Sequence, residues 1–175
     1  MKIWIVSGPG PDWAAYLGEM LRAWGLAFFE IVPSSEVSRA VEAGGDVVVL
    51  SPGATVESTI LEAFLQTGGK ILGFAPEEPL LRLAGVQDGG RREGAVRLRL
   101  TQPLAVGALG MTLPLAGPVY TLTGADLSTV WAYLYTEGSY AGESPALIVR
   151  PVGNGQVALL AFHLPLSVAL LRQGD

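Results

Sequence analysis

The stretch Asp46-Val47-Val48-Val49-Leu50-Ser51-Pro52-Gly53 decides the fold of this chain. Its near-continuous valine run lacks the alternation of a half-exposed strand and has the pattern of one buried on both faces, as in a parallel sheet. Upstream, Lys2 to Val6 is a short β-rich run that enters a Gly/Pro loop, and Asp12 stands in N-cap position before a helical pattern. In that helix Trp13, Tyr16, Leu17, Met20, Leu21 and Trp24 recur at three- and four-residue spacing as an inward-packed face, and Gly25 supplies the stop. Phe28 to Val32 reads as a second strand, and Ser34 or Ser35 caps a short helix through Ala43. Downstream of the valine run, Thr55 opens a helix striped with Val56, Ile60, Leu61, Phe64 and Leu65; Gly68-Gly69 ends it before a strand from Lys70 to Phe74. Strands alternating with helices at this spacing predict an α/β protein: three layers, a mostly parallel open sheet, helices on both faces.

From about Gly85 the pattern changes. Gln87 to Gly94 is polar and turn-rich, whereas Val96, Leu98 and Leu100 alternate with Arg97, Arg99 and Thr101 as in a half-exposed strand. Pro103 to Pro118 reads as an irregular insertion, with strands expected at Val119 to Leu122 and Val130 to Tyr135. Ala146 to Arg150 and Gln156 to Phe162 flank Val152-Gly153-Asn154-Gly155, a hairpin signal because Asn and Gly tolerate the positive φ of tight turns. Leu164 to Leu171 is the expected closing helix. The 175 residues therefore form a single domain, with an insertion or extension at about 87–140 and a late antiparallel hairpin.

Composition narrows the function. Charged residues make up 15% of the chain, below the usual ~25%, and the net charge of −5 with two lysines, Lys2 and Lys70, argues against nucleic acid. The absence of cysteine removes disulfides, thiolate metal sites and cysteine nucleophiles together. The apolar run after Met1 is too short for a signal peptide, and the charge-free stretches 100–125 and 151–171 are interrupted by Pro and Gly, so no membrane span is expected and a cytoplasmic location is the default. No cofactor is implied: Gly8 and Gly10 fit the first two positions of a dinucleotide-binding G-x-G-x-x-G, but Trp13 occupies the third.

Three segments in combination resemble the class I glutamine amidotransferase-like superfamily, a flavodoxin-like group that also includes trehalose-utilisation-like proteins and the trimerisation domain of some β-galactosidases. Asp46 to Gly53 is similar to the strand and glycine turn where amidotransferases place an oxyanion-hole amide, which would make Gly53 the turn's glycine. Gly68-Gly69-Lys70-Ile71-Leu72-Gly73-Phe74-Ala75-Pro76 resembles the strand and nucleophile elbow, whose active members read Gly-x-Cys-x-Gly; Ala75 stands at the cysteine. Ala161-Phe162-His163-Leu164-Pro165 is similar to the late strand that carries the base, placing His163 there without its orienting glutamate. The elbow Gly73, Phe74, Ala75 is thus degenerate. A methyl group cannot attack an amide carbon, and Pro76 removes the backbone amide that would follow the nucleophile, so no catalytic residue is assigned and glutaminase activity is expected to be nil.

The resemblance implies a non-catalytic module for protein–protein assembly in a carbohydrate-utilisation context, pairing with its own copy, a further domain or a partner chain. The alternative is a small-molecule or carbohydrate binding or hydrolytic domain that uses the strand-end crevice, with Ser7, Gly8, Asp12, Ser51, Gly53, Glu77, Glu78 and His163 as ligand-binding candidates. Each has a structural reading beside it: Glu77 and Glu78 as charge at a helix N-terminus, His163 as a packed imidazole satisfied by backbone. No metal site is expected. Arg91, Arg92, Arg97 and Arg99 read as charges on a solvated edge strand, and Trp131, Tyr133, Tyr135 and Tyr140 as either a platform for a partner or sugar or part of a buried strand. Arg172-Gln173-Gly174-Asp175, a turn signal after an apolar helix, is open to reading as the start of a further domain.

Overall fold

A computed structural model of the chain describes residues 2–42, 44–92, 96–102, 111–136 and 143–174. The expected alternation is present in the first half: β1 (Ile3–Ser7), α1 (Trp13–Ala23), β2 (Phe29–Pro33), α2 (Val37–Glu42), β3 (Val47–Leu50), α3 (Ser58–Gln66), β4 (Lys70–Phe74) and α4 (Glu78–Ala84). The second half adds β5 (Gln87–Arg92), β6 (Val96–Leu100), β7 (Thr112–Leu115), β8 (Val119–Thr123), β9 (Val130–Tyr135), β10 (Ser144–Val152), β11 (Gly155–Leu160) and α5 (Leu164–Gln173). Among the described residues nine strands form one mixed sheet in the order β2-β1-β3-β4-β11-β10-β9-β6-β7, and β5 and β8 make a separate two-stranded ribbon.

The sheet is parallel from β2 to β11 and antiparallel from β11 to β7, so the expectation of a mostly parallel sheet holds for one end. The chain steps one way from β1 to β2 and the other way from β2 through β3 to β4. Crossovers of one hand therefore put α1 on one face and α2 and α3 on the other, in keeping with the packing of α1 on α5 and of α2 on α3. The valine run of β3 lies inside the sheet, with Val48, Val49 and Leu50 buried. The hairpin lies where the Asn-Gly signal puts it, closing with Val152 opposite Gly155. It is more than an extension, however, because β11 pairs in parallel with β4 and is the fifth parallel strand.

Four expectations need correction. The polar run Gln87–Arg92 is a strand, paired with β8 and almost wholly exposed, which is why it carries no hydrophobic pattern. Thr112–Leu115, expected to be irregular, is the edge strand beside β6, and Pro114 is tolerated there because an edge strand has no second ladder to supply. That places the arginines of β6 one strand in from the edge. Trp24, read as part of the inward face of α1, is exposed at the end of that helix, while Leu17 and Met20 are buried. Residues 103–110 and Tyr140 lie outside the described residues.

The antiparallel end sorts its residues by face. Val96, Leu98, Leu100, Val130, Ala132 and Leu134 are buried, whereas Arg97, Arg99, Trp131, Tyr133 and Tyr135 are half-buried on the alternate positions. The aromatic series is thus neither fully in the core nor fully exposed. Arg99 is ion-paired with Glu143, Arg92 donates to Thr136 Oγ1 at 3.0 Å, and Arg91 belongs to the ribbon rather than to the sheet.

The join between the two ends is tight. A Cβ added at Gly155 would lie 2.2 Å from the Gly69 carbonyl oxygen and 2.8 Å from that of Leu65. These are backbone atoms at the start of β4 and the end of α3, and Gln156 N also donates to the same Gly69 oxygen at 3.2 Å. Gly155→Ala should cost about 1–3 kcal/mol, the usual range for overpacking, read as a lower urea midpoint with an unchanged slope. A midpoint equal to that of the parent chain would show that the join has slack.

Candidate functional site

Ligands of open α/β sheets bind beyond the carboxyl ends of the strands, where neighbouring crossovers diverge. Here that point lies between β1 and β3. The loops following the two strands touch backbone to backbone: a Cβ on Gly8 would sit 2.5 Å from Ala54 N and 2.6 Å from the Gly53 carbonyl carbon. Gly53 has φ +80, a conformation that L side chains rarely adopt, and this turns the β3 loop towards β1.

The hydroxyls at these strand ends are engaged internally. Ser51, 2% exposed, accepts a hydrogen bond from Gly8 N at 3.2 Å through Oγ, while Ser51 N donates to Val6 O at 3.1 Å. Ser7 Oγ donates to Val32 O at 3.3 Å, and Ser34 Oγ donates to Ser7 O at 3.2 Å. Together these bonds tie the ends of β2, β1 and β3. Asp12 caps α1 as expected, its Oδ1 accepting from Ala15 N at 2.9 Å.

The segment that resembles the elbow spans the end of β4. Gly73, Phe74 and Ala75 are buried, and the peptide from Ala75 to Pro76 is cis. A Cβ at Gly73 would meet Leu80 Cδ1 at 2.1 Å, so the glycine lets α4 lie against the strand. Glu77 takes the N-cap position of α4 without a side-chain cap bond, and Glu78 is in its first turn, where a negative charge is favourable against the helix dipole. Glu78 also lines, with Arg82, Asp88 and others, a surface hollow of about 660 Å³ between α4 and the β5–β8 ribbon.

His163 follows β11 and is the N-cap of α5, with Nδ1 accepting from Leu166 N at 3.0 Å. An accepting Nδ1 is unprotonated, so the neutral ring carries its proton on Nε2. The imidazole lies edge-on to Trp13, ring centroids 4.6 Å apart, and near-parallel to Phe74 at 6.4 Å. The structure thus brings Ala75's strand, Trp13 and His163 together, whereas Asp12 and Ser51 make their bonds to other partners. Among the described residues no carboxylate is hydrogen-bonded to the imidazole, and no three His, Asp or Glu side chains gather as metal ligands would. The sequence signal for the cap was present in Pro165, which sits in the first turn of the helix that His163 opens.

No protein-family model matches the chain, and no curated protein matches it in sequence. Solved structures do match in fold. A β-galactosidase from Rahnella sp. R3 superimposes with TM-score 0.66 at 18% identity over 98% of this chain and 31% of that one. An exo-β-1,4-mannosidase from Opitutaceae bacterium strain TAV5 gives TM-score 0.67 at 13% identity over 98% of this chain and 33% of that one. A cytoplasmic protein from Salmonella typhimurium LT2 gives 0.64 at 17% identity, covering 92% of this chain and 87% of that one. The chain therefore has the fold of a domain found in glycoside hydrolases and spans about a third of the two enzymes. Among the described residues no helix is long and apolar enough to cross a membrane.

Burial pushes the His163 pKa below its ordinary value, and a cation at a helix N-terminus is disfavoured as well. The sign follows from linkage. Above the unfolded value of about 6.5 both states are neutral; as pH falls below it the unfolded chain takes up the proton first, so stability drops until the folded value is passed. His163→Asn, which keeps an N-cap acceptor, should flatten that slope. His163→Ala should flatten it too and cost about 1 kcal/mol at neutral pH through the lost cap. Urea midpoints measured from pH 8 to pH 5 separate the variants; an unaltered slope in His163→Asn assigns the pH dependence to other groups.

Proposed function

We propose that this chain is a non-catalytic module for protein–protein assembly, working beside the enzymes of carbohydrate utilisation. The observation that carries the reading is the state of the strand ends. The Ser51 hydroxyl accepts from Gly8 N, the His163 Nδ1 accepts from Leu166 N, and a methyl group, Ala75, occupies the end of β4. A nucleophile and a base engaged by the same substrate are what acyl or glycosyl transfer needs; here the candidate groups serve the backbone instead. The context is supported by the matching domains of the β-galactosidase and the mannosidase. Because each of those chains is about three times as long as the matched part, a further domain or partner chain is the expected companion.

We infer further that the parallel half is a flavodoxin-like, amidotransferase-like core. Its support is the order β2-β1-β3-β4-β11 and the placement of Gly53, Ala75 and His163 just beyond β3, β4 and β11.

Two measurements test the function. Incubation with glutamine, nitrophenyl glycosides and nitrophenyl acetate should give no turnover above buffer. Turnover abolished by His163→Asn would instead establish a working strand-end site, the binding or hydrolytic reading of the crevice around Ser7, Ser51, Glu77 and His163. Native mass spectrometry of the chain taken from its own cells should show a stoichiometric assembly. A lone chain under every condition contradicts the module.

A further inference from the structure

Four of the large apolar side chains most open to solvent fall in one short window. Trp24 is 66% exposed, Leu26 42%, Phe28 85% and Ile31 41%. The window runs from the end of α1 into β2, the terminal strand on the parallel side of the sheet. Singly exposed apolar residues are ordinary, whereas several near one sheet edge offer a contact surface; Ile31 shares the α1 side of β2 with Phe29, a Cβ at Gly18 lying 3.5 Å from Ile31 Cδ1, and strand alternation turns Glu30 to the other side. Full burial of an aromatic side chain covers about 150–250 Å², so the exposed parts of these four residues sum to on the order of 450 Å². A stable interface needs about 800 Å² from each partner, and the backbone edge of β2 adjoins the patch to supply more.

The two edges of the sheet differ. β7 is interrupted by Pro114 in its middle, a usual device against pairing, whereas β2 carries its proline, Pro33, at the last position and keeps a backbone N–H at each residue from Phe29 to Val32. Beside the protruding Phe28 lies a hollow of about 500 Å³ lined by Lys2, Ala27, Phe28, Phe29 and Glu30. A projection and a recess on one patch are what a two-fold contact requires, since each copy then offers both. Antiparallel pairing centred on Phe29 puts Phe28 of each copy opposite Glu30 of the other, over that recess. The charges allow it: Glu30 is already ion-paired with Lys2 at 3.5 Å, and the two Glu30 side chains are not directly opposed.

We propose that the occupant of this edge is a second copy of the chain, joined β2 to β2 about a two-fold axis with Phe28 seated in the opposite copy's hollow. The proposal deepens the assembly reading by naming its surface and partner, and it rests on that reading. It is tested by sedimentation velocity of the whole chain across a wide concentration range, with Phe28→Asp, Trp24→Asp and a control. The control is Leu127→Asp, which alters an equally exposed apolar residue, 75% open, in the turn before β9.

The parent chain should be a dimer. Phe28→Asp and Trp24→Asp should raise its dissociation constant about thirtyfold or more, the loss expected of a hot-spot residue, with unchanged circular dichroism, and Leu127→Asp should leave it unaltered. A dimer that persists in Phe28→Asp and Trp24→Asp overturns this surface but leaves the assembly reading standing. A parent chain monomeric at every concentration overturns the pairing, and the assemblies found in cells then judge the wider reading separately. A complex with a different protein that Phe28→Asp disrupts, without a dimer of the parent chain, also overturns the proposal, because the edge would then belong to that partner.

Discussion

The parallel pairing of β11 with β4 is the contact on which both ends of the sheet depend. β11 is the fifth parallel strand and also the first strand of the antiparallel end, so losing its register would separate the two. Val157 and Leu159 are fully buried on it, and Leu160 is paired with Phe74 at the strand end that leads into Ala75. The approach of Gly155 to the carbonyls of Gly69 and Leu65 sets how closely the hairpin can dock. Because strand pairing shifts in steps that reverse every side chain, this fixed point and the unbroken β10–β11 register set which residues of β10 beside it face inward.

The same register brings the end of β11 beside the end of β4 and turns the chain directly into α5. His163 is the residue at that turn. In a working acyl-transfer site, a histidine there would hold one nitrogen towards a nucleophile and the other towards an orienting carboxylate. Here Nδ1 faces the first turn of its own helix, Trp13 and Phe74 lie close to the ring, and the neighbouring strand offers a methyl group. At the switch point between β1 and β3, close backbone contact and the Ser51 hydroxyl hold the loops together. The strand-end hydroxyl of Ser51 and the imidazole of His163 thus bond to backbone, while large apolar side chains such as Trp24 and Phe28 are exposed near the β2 edge of the sheet.

Much of this was legible in the sequence because the parallel half writes its fold locally. The valine run of β3, the Asp12 cap and the Asn-Gly hairpin each rest on interactions within a few residues, and all appear where expected. What was not legible depended on partners distant in sequence. Gln87–Arg92 has no apolar face because its ribbon is exposed, and Pro114 argued against a strand whose edge position makes it permissible. That β11 would pair with β4 as well as with β10 could not be read from its own residues, since a buried strand tolerates either neighbour. Trp24 fits the helical spacing of the inward face yet lies beyond the last turn, where spacing no longer reports burial. The strand-end candidates could be named from the sequence, but their hydrogen-bond partners, which determine what they can do, required the fold.

The proposed function requires the histidine at the end of β11 to serve as the cap of α5 rather than as a base held ready for substrate. Nitrogen-15 NMR of the imidazole measures this directly, as the chain has a single histidine. At neutral pH the ring should be neutral, with its proton on Nε2 and an unprotonated Nδ1 coupled to the Leu166 amide. A ring protonated on Nδ1, or a doubly protonated imidazolium, would contradict it.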